Sequence, residues 1–440
     1  MSELMDAAAK AVELATNMGA EQVKAWSSQG VEVELQQRAG KLERVHESST
    51  LGLSVSLLVD GRYSTHGTSD LRPEALKAFL QRAVDGTRYL EPDPDRVMLP
   101  FDEMGSLDPV SLDNDDAASM NARGPEQRQE AIKELEDTIL AGATGDLVSA
   151  TSYIWEVRSQ SAAVFSNGFS AQQARTHFGQ GGMLTLKEPS GKLPETYSFY
   201  NASHMADVPS VQHLADDLWE RATEVRNTSA CASGSYTLIL DRRTASRLIG
   251  AMIAPMSGGN LHTGRSMYLG KLGQTLGSSA FTLVDDPTIP RGMGSKPFDG
   301  DGRKARTRSL FTNGRLDTYL LDLYHARKLE MEPTTGGTSN VVMAPGTRHW
   351  REIAKDHPKA IRVTSFLGGN SNPASGNYSF GIRGQLFENG EWVQNLSEMN
   401  VSGNLLELMA AFIEADNDPW TFASYRLPTL FFANVQFSGS

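Results

Sequence analysis

The sequence predicts an α+β protein: an N-terminal α/β sandwich-like domain with an antiparallel sheet, joined to a mostly β, barrel-like C-terminal domain. Two observations carry that class. Period-two alternation recurs along the chain, as in Val31-Glu32-Val33-Glu34-Leu35 and Leu51-Gly52-Leu53-Ser54-Val55-Ser56-Leu57, which buries one face of each segment against a core. Helical spacing is concentrated before residue 228, whereas beyond it short alternating runs are separated by turns rich in glycine. The 440 residues, 39% hydrophobic and 21% charged, suffice for two large domains and exclude a disordered or collagen-like chain.

In the first half, residues 4–18 set Leu4, Ala8, Ala11, Val12 and Ala15 along a helical stripe that Gly19 can end. Strands follow at 31–35 and 51–57, and Asp60-Gly61 turns the chain into another at 62–65. Leu76, Phe79, Leu80 and Ala83 place a second helix over 73–89. The acidic, proline-bearing stretch 91–124 predicts a surface excursion. Pro125 suits the first turn of a helix that carries Ile132, Leu135 and Ile139 on one face as far as Ala141. Strands are expected at 147–157, 161–166 and 181–186, with Asn167-Gly168 as a turn, and a helix at 210–226. The small, polar run from Asn227 to Gly234 predicts the boundary between domains 1–228 and 229–440.

The second half opens with a strand at 236–240 and a helix that Thr244 can cap, running to Ala254 before Pro255, Gly258 and Gly259 stop it. Short strands are expected at 280–284, 308–312, 317–321, 341–344, 361–366 and 378–386. Asn389-Gly390 marks a hairpin between 383–387 and 391–395, followed by a helix at 403–414 and final strands at 429–437.

Forty-one Lys and Arg against 53 Asp and Glu give a net charge of −12, which repels nucleic-acid phosphate and argues against direct nucleic-acid binding. Cys231 is the single cysteine, so an intramolecular disulfide and a cysteine-rich zinc module are excluded. No apolar run approaches the ~20 residues of a membrane span, and Met1 to Val12 lacks the pattern of a signal peptide. A soluble, cytoplasmic protein without a membrane partner is expected.

The nine histidines include no pair three, four or five residues apart, the spacing that puts two imidazoles on one ion from one helix. His46-Glu47 lies in a strand-like pattern that throws neighbouring side chains to opposite faces. Met256-Ser257-Gly258-Gly259 lacks the Gly-x-Ser-x-Gly elbow, and the 292–295 and 299–302 glycine turns lack the phosphate-cradling Gly-x-x-x-x-Gly-Lys motif. Asp299 to Arg303 begins like a calcium loop, but its twelfth position is Leu310. Lys304, Arg306, Arg308 and Arg315, with Arg303, form the one notable basic cluster. It could hold an acidic partner or a substrate carboxylate, although the alternation of Lys304, Arg306 and Arg308 also fits the solvent-facing side of a strand. The flexible backbone of Thr334 to Asn340 could approach a bound peptide closely, and its composition suits a plain loop equally well.

Thr318-Tyr319-Leu320-Leu321-Asp322-Leu323-Tyr324-His325-Ala326-Arg327-Lys328-Leu329, Gly336-Gly337-Thr338-Ser339-Asn340 and Val401-Ser402-Gly403-Asn404-Leu405 resemble the TldD/PmbA family, once labelled modulators of DNA gyrase. Asp285-Asp286-Pro287 and the strands from Val45 to Gly61 also fit. The resemblance covers nearly the whole chain and is strongest in 235–345 and 378–410. It implies two branches. TldD-type chains resemble zinc peptidases, with His-Glu-x-x-x-His on a helix and a cysteine near the C-terminus. PmbA/TldE-type chains lack these ligands and form the second subunit of a peptide-cleaving heterodimer.

In this chain Gly250 and Pro255 stand at the two histidine positions, Ala251 at the glutamate, and the cysteine position falls near Ala423 or Ser424. The resemblance therefore implies the metal-free branch, with no catalytic residue, metal ligand or cofactor in this chain. Zinc is expected in a TldD-like metallopeptidase partner acting on unfolded peptide. Contacts to peptide or partner are expected from Gly258, Gly259, Arg265, Gly336, Gly337 and Asn340, and a homodimer is also open. Two further readings stay open: a self-standing enzyme with unrecognised chemistry, and a regulatory protein-binding factor of the gyrase-modulator type.

Overall fold

The computed structural model describes residues Ser2–Gly439. Strands β1 (Gln22–Arg38), β2 (Lys41–Val59), β3 (Arg62–Thr68), β4 (Leu147–Phe165), β5 (Ser170–Leu186) and β6 (Glu195–Ala202) form one sheet in the order β3-β2-β1-β4-β5-β6. All its pairings are antiparallel. The long strands let two helix pairs cover separate parts of one face. Helices Ser2–Asn17 and Pro73–Thr87 close over Val23, Ala25, Leu53, Val55 and Leu57. Helices Pro125–Ala141 and Val211–Glu224 close over Val33, Leu35, Ile154 and Leu184. Between the two covers Gln29 and Val31 are exposed.

Several boundaries differ from the sequence expectation for physical reasons. The segments 147–157 and 161–166 are one strand, β4, because pairing with β1 and β5 runs unbroken through Arg158 to Ser161. Those residues are half-buried between the two helix covers, so their alternation fades. Strand β5 starts at Ser170 rather than 181. Strand β6 was unexpected: Thr196 and Ser198 face inward while Tyr197 and Phe199 are exposed, an inversion of the pattern that marks a core face. The 91–124 excursion is only partly superficial, since Met98, Leu99, Leu112 and Met120 are buried.

The second half supplies β7 (Gly234–Leu240), β8 (Leu283–Asp286), β9 (Arg308–Thr312), β10 (Arg315–Leu316), β11 (Asn340–Val342) and β12 (Lys359–Ser371). Then follow β13 (Asn377–Glu388), β14 (Glu391–Asn404), β15 (Phe412–Ala415), β16 (Tyr425–Arg426) and β17 (Leu430–Ser438). One sheet has the order β14-β13-β12-β7-β17-β15, and pairing of β14 with β17 closes β7, β12, β13, β14 and β17 into a five-stranded barrel. The other sheet, β10-β9-β8-β11-β16, shares its apolar core, where Leu238, Ile249, Phe281, Phe311, Phe380 and Phe432 meet. The whole is the α+β arrangement of an antiparallel sheet and a closed barrel.

Here too the sequence expectation needs correction. Residues 317–321 are mostly irregular, with Tyr319, Leu320 and Leu321 all buried in succession, which removes the alternation of a half-buried strand. The helix expected at 403–414 is limited to Leu405–Ala410, because β14 runs to Asn404 and β15 begins at Phe412. Thr244 does not cap its helix; its hydroxyl donates to the carbonyls of Asp241 and Val363 at 2.9 and 3.1 Å.

A buried ion network joins the two halves. Arg362 of β12 donates to Glu224 on helix Val211–Glu224 at 3.1 Å and also to Asp241 after β7. Arg243 in turn donates to Asp241 and to Asp217 on the same helix. The return segment before β16 adds a second tie, placing Trp420, Phe422 and Ala423 against the core of the first half. Among the described residues no helix is long and apolar enough to cross a membrane.

Candidate functional site

Helix Ala245–Ile253 buries Leu248, Ile249, Met252 and Ile253 and leaves Gly250 and Ala251 on its partly exposed side. Pro255, lacking an N–H, ends it in the 3-10 turn Ala254–Met256. A Cβ on Gly250 would lie 3.8 Å from the Tyr425 phenol oxygen, so β16 borders this partly exposed face of the helix. Zinc needs nitrogen, sulfur or carboxylate oxygen donors, and the side chains of Gly250, Ala251 and Pro255 offer none. Ala423 is packed beside Trp420 and Phe422, while the Ser424 carbonyl accepts from Val341 N at 2.8 Å. Among the described residues no group of three or more His, Cys, Asp or Glu is placed to hold a metal ion. The residues at this position do not fit zinc.

The next turn brings distant motif residues together. Ser257 caps the short helix Gly258–His262, and Gly258 lies under His325, where a Cβ would come within 2.3 Å of the His325 Cβ. Gly259 is looser, at 3.7 Å from His325 Nε2. Asp322 Oδ1 accepts from His325 N and faces His325 Nδ1, each at 2.8 Å. Gly336 closes over Asp322, with 3.2 Å between a notional Cβ and the Asp322 Cβ. No hydroxyl or thiol among the described residues is hydrogen-bonded to the other His325 ring nitrogen, so the pair lacks the nucleophile of a triad.

The close contact at Gly258 makes a direct prediction. Gly258→Ala will lower stability by about 1–3 kcal/mol through overpacking against His325, whereas Gly259→Ala will change it by less than ~0.5 kcal/mol. Thermal unfolding of both variants checks this. Equal midpoints would remove the claim that the 258–325 contact is tight.

The remaining expected contact residues lie elsewhere. Arg265 is exposed, bonds Thr263 Oγ1 at 3.1 Å, and lines a separate groove with Asn260 and the 370–379 loop. Asn340 is fully enclosed and offers no surface to a peptide. Its Oδ1 accepts from Gly294 N at 2.8 Å, and its Nδ2 donates to Asp286 O and Ser295 Oγ at 2.7 and 2.8 Å. The Gly337 carbonyl accepts from Arg308 Nη2 at 2.8 Å.

The basic cluster is also divided. Arg308 does not face solvent; it turns in on its cross-strand partner Asp285, with Nε and Nη2 at 3.1 and 3.0 Å from Oδ2. Arg315 pairs with Asp317 and Arg303 with Glu103, while Lys304 and Arg306 stay exposed. Arg308, Asp285, Lys296 and Asp299 line a cavity of about 260 Å³. Burial pushes the Asp285 and Asp299 carboxyls up and the Lys296 ammonium and Arg308 guanidinium down from their ordinary values. Lys296 had no motif to announce it; the Asp285–Arg308 pairing becomes visible only once β8 and β9 are in register.

The chain also resembles known proteins. Residues 233–439 match the PmbA/TldA metallopeptidase C-terminal domain, and residues 22–86 match PmbA/TldA metallopeptidase domain 1. Over 99% of its length the chain is 24% identical to Metalloprotease PmbA of Escherichia coli O157:H7, spanning 96% of that protein. A crystal structure from Bacteroides thetaiotaomicron, named for a modulator of DNA gyrase, matches with a TM-score of 0.95 and 31% identity over 100% of both chains. TldE from Thermococcus kodakarensis shares the fold at a TM-score of 0.84 and 18% identity, over 98% of this chain and 100% of that one. With residues 22–86 and 233–439 matched and the full-length likeness at 31% identity, the chain belongs to the PmbA/TldD family.

Proposed function

We propose that this chain is the metal-free, TldE-like subunit of a TldD–TldE-type zinc peptidase acting on unstructured peptides. The observation that carries the reading is the helix Ala245–Ile253. Gly250 on its partly exposed face is bordered by Tyr425, and neither Gly250, Ala251 nor Pro255 can donate to an ion or shuttle a proton. The zinc and the proton-transfer group then belong to a TldD-like partner in a cytoplasmic heterodimer. This chain contributes cavity walls and an interface that shapes access for an extended peptide. The names of its relatives, Metalloprotease PmbA and TldE, agree with a place in peptide cleavage.

The test is made on the full-length chain, alone and with a partner carrying His-Glu-x-x-x-His. Alone, it is expected to retain no stoichiometric zinc by elemental analysis and to leave an unstructured peptide such as casein intact. With the partner it is expected to co-elute, and the pair to cleave the peptide until zinc is chelated. Stoichiometric zinc and chelator-sensitive turnover in the lone chain would overturn the reading.

A further inference from the structure

We propose that the cavity between β8, β9 and the 333–339 loop binds a carboxylate, the free C-terminal end of a peptide. The donors are already in place. Arg308 spends Nε and Nη2 on Asp285 and Gly337 O, but its Nη1 is buried without a partner among the described residues. Lys296 Nζ donates once, to Thr338 O at 3.2 Å, although an ammonium carries three protons. An oxyanion in the cavity would give the Lys296 ammonium an acceptor for its remaining protons and set a negative charge beside the Arg308 guanidinium.

The acids present do not fill that role. Asp285 is taken up by Arg308 and by the Ser339 N–H, and Asp299 Oδ1 by the N–H groups of Asp301 and Arg303. At the mouth Arg306 is exposed and has no ion pair among the described residues, beside Lys304. The lining therefore holds five cations, Lys296, Arg303, Lys304, Arg306 and Arg308, against two acids, in a chain whose net charge is −12. That local reversal draws anions in. The two acids inside favour a singly charged carboxylate over a phosphate dianion, and about 260 Å³ suits a chain end rather than a folded partner. Identifying the carboxylate as a peptide terminus rests on the peptidase-subunit reading above.

The test is calorimetric titration of the full-length chain with N-acetyl-Ala-Ala-Ala as the free acid, with its C-terminal amide, and with inorganic phosphate. The free acid is expected to bind at least about tenfold more tightly than the amide and more tightly than phosphate. Lys296→Met is expected to erase the preference for acid over amide, and Arg306→Gln, at an exposed position that cannot disturb folding, to weaken the free acid about threefold. No binding of the free acid at millimolar concentration, equal binding of acid and amide, or tighter binding of phosphate would overturn the proposal. Partner capture is scored separately. A chain that distinguishes acid from amide but captures no TldD-like partner upholds the pocket and removes the subunit reading.

Discussion

Arg362→Met will lower the stability of the chain by about 3–5 kcal/mol, the range for removing one member of a buried ion network. Arg362 is buried and donates to Glu224 and Gln385, each at 3.1 Å, and to Asp241. Its guanidinium also stacks 4.5 Å from the Trp350 ring. Burial works against the charge on Asp241, yet Arg362 and Arg243 outweigh it and hold that carboxyl well below the usual range. Burial raises Glu224, with Arg362 as its chief opposing charge. Methionine would fill most of the volume but leave Glu224 without its cation. The second substitution Glu224→Gln should therefore recover part of the loss, because an unpaired amide costs less than an unpaired charge. Urea unfolding of the single and double variants checks both statements. A single variant within ~1 kcal/mol of the parent would show that the network does not hold the halves together.

Raising the pH from about 4 to 6 will remove up to ~3 kcal/mol of stability through Asp416. Asp416 is buried. Its Oδ1 accepts from the N–H groups of Asp418 and Thr429, each at 3.0 Å, and its Oδ2 has no partner among the described residues. Burial pushes its carboxyl from 3.8 up to about 6. The folded state thus keeps a proton that the unfolded chain gives up, so this group's contribution is whole below pH 3.8 and falls as pH climbs towards 6. Asp416→Asn cannot titrate. Relative to the parent, the variant should gain steadily across that window and hold a constant difference above it. Unfolding free energies of both proteins measured from pH 4 to 7 decide the matter, and a difference independent of pH would refute the shift.

The class of the fold was legible because alternating segments such as Leu51 to Leu57 and helical stripes such as Leu76 to Ala83 each bury one face. Strand β6 was hidden because its enclosed face begins with Thr196 and Ser198, polar groups whose inward position depends on neighbours distant in sequence, while the large apolar Tyr197 and Phe199 point outward. At the site, the lack of donors at Gly250, Ala251 and Pro255 could be read from a motif position, since an absent side chain needs no coordinates. The inward turn of Arg308 could not. It follows from the register of β8 on β9, which sets Asp285 opposite it, while the sequence pattern of Lys304, Arg306 and Arg308 suits a solvated strand equally well. The convergence of Gly258, His325, Asp322 and Gly336 was likewise invisible, because nearly eighty positions separate its outer members.

The return of Trp420 and Phe422 to the first half bears on how the protein is made. Tyr200 sits buried between them, with ring centroids 5.1 and 4.8 Å away. During synthesis Tyr200 leaves the ribosome some two hundred residues ahead of these two aromatic partners. The nascent N-terminal sheet therefore emerges with an open aromatic cleft that stays wet until these two residues have been made, leaving a sticky surface for chaperones to shield.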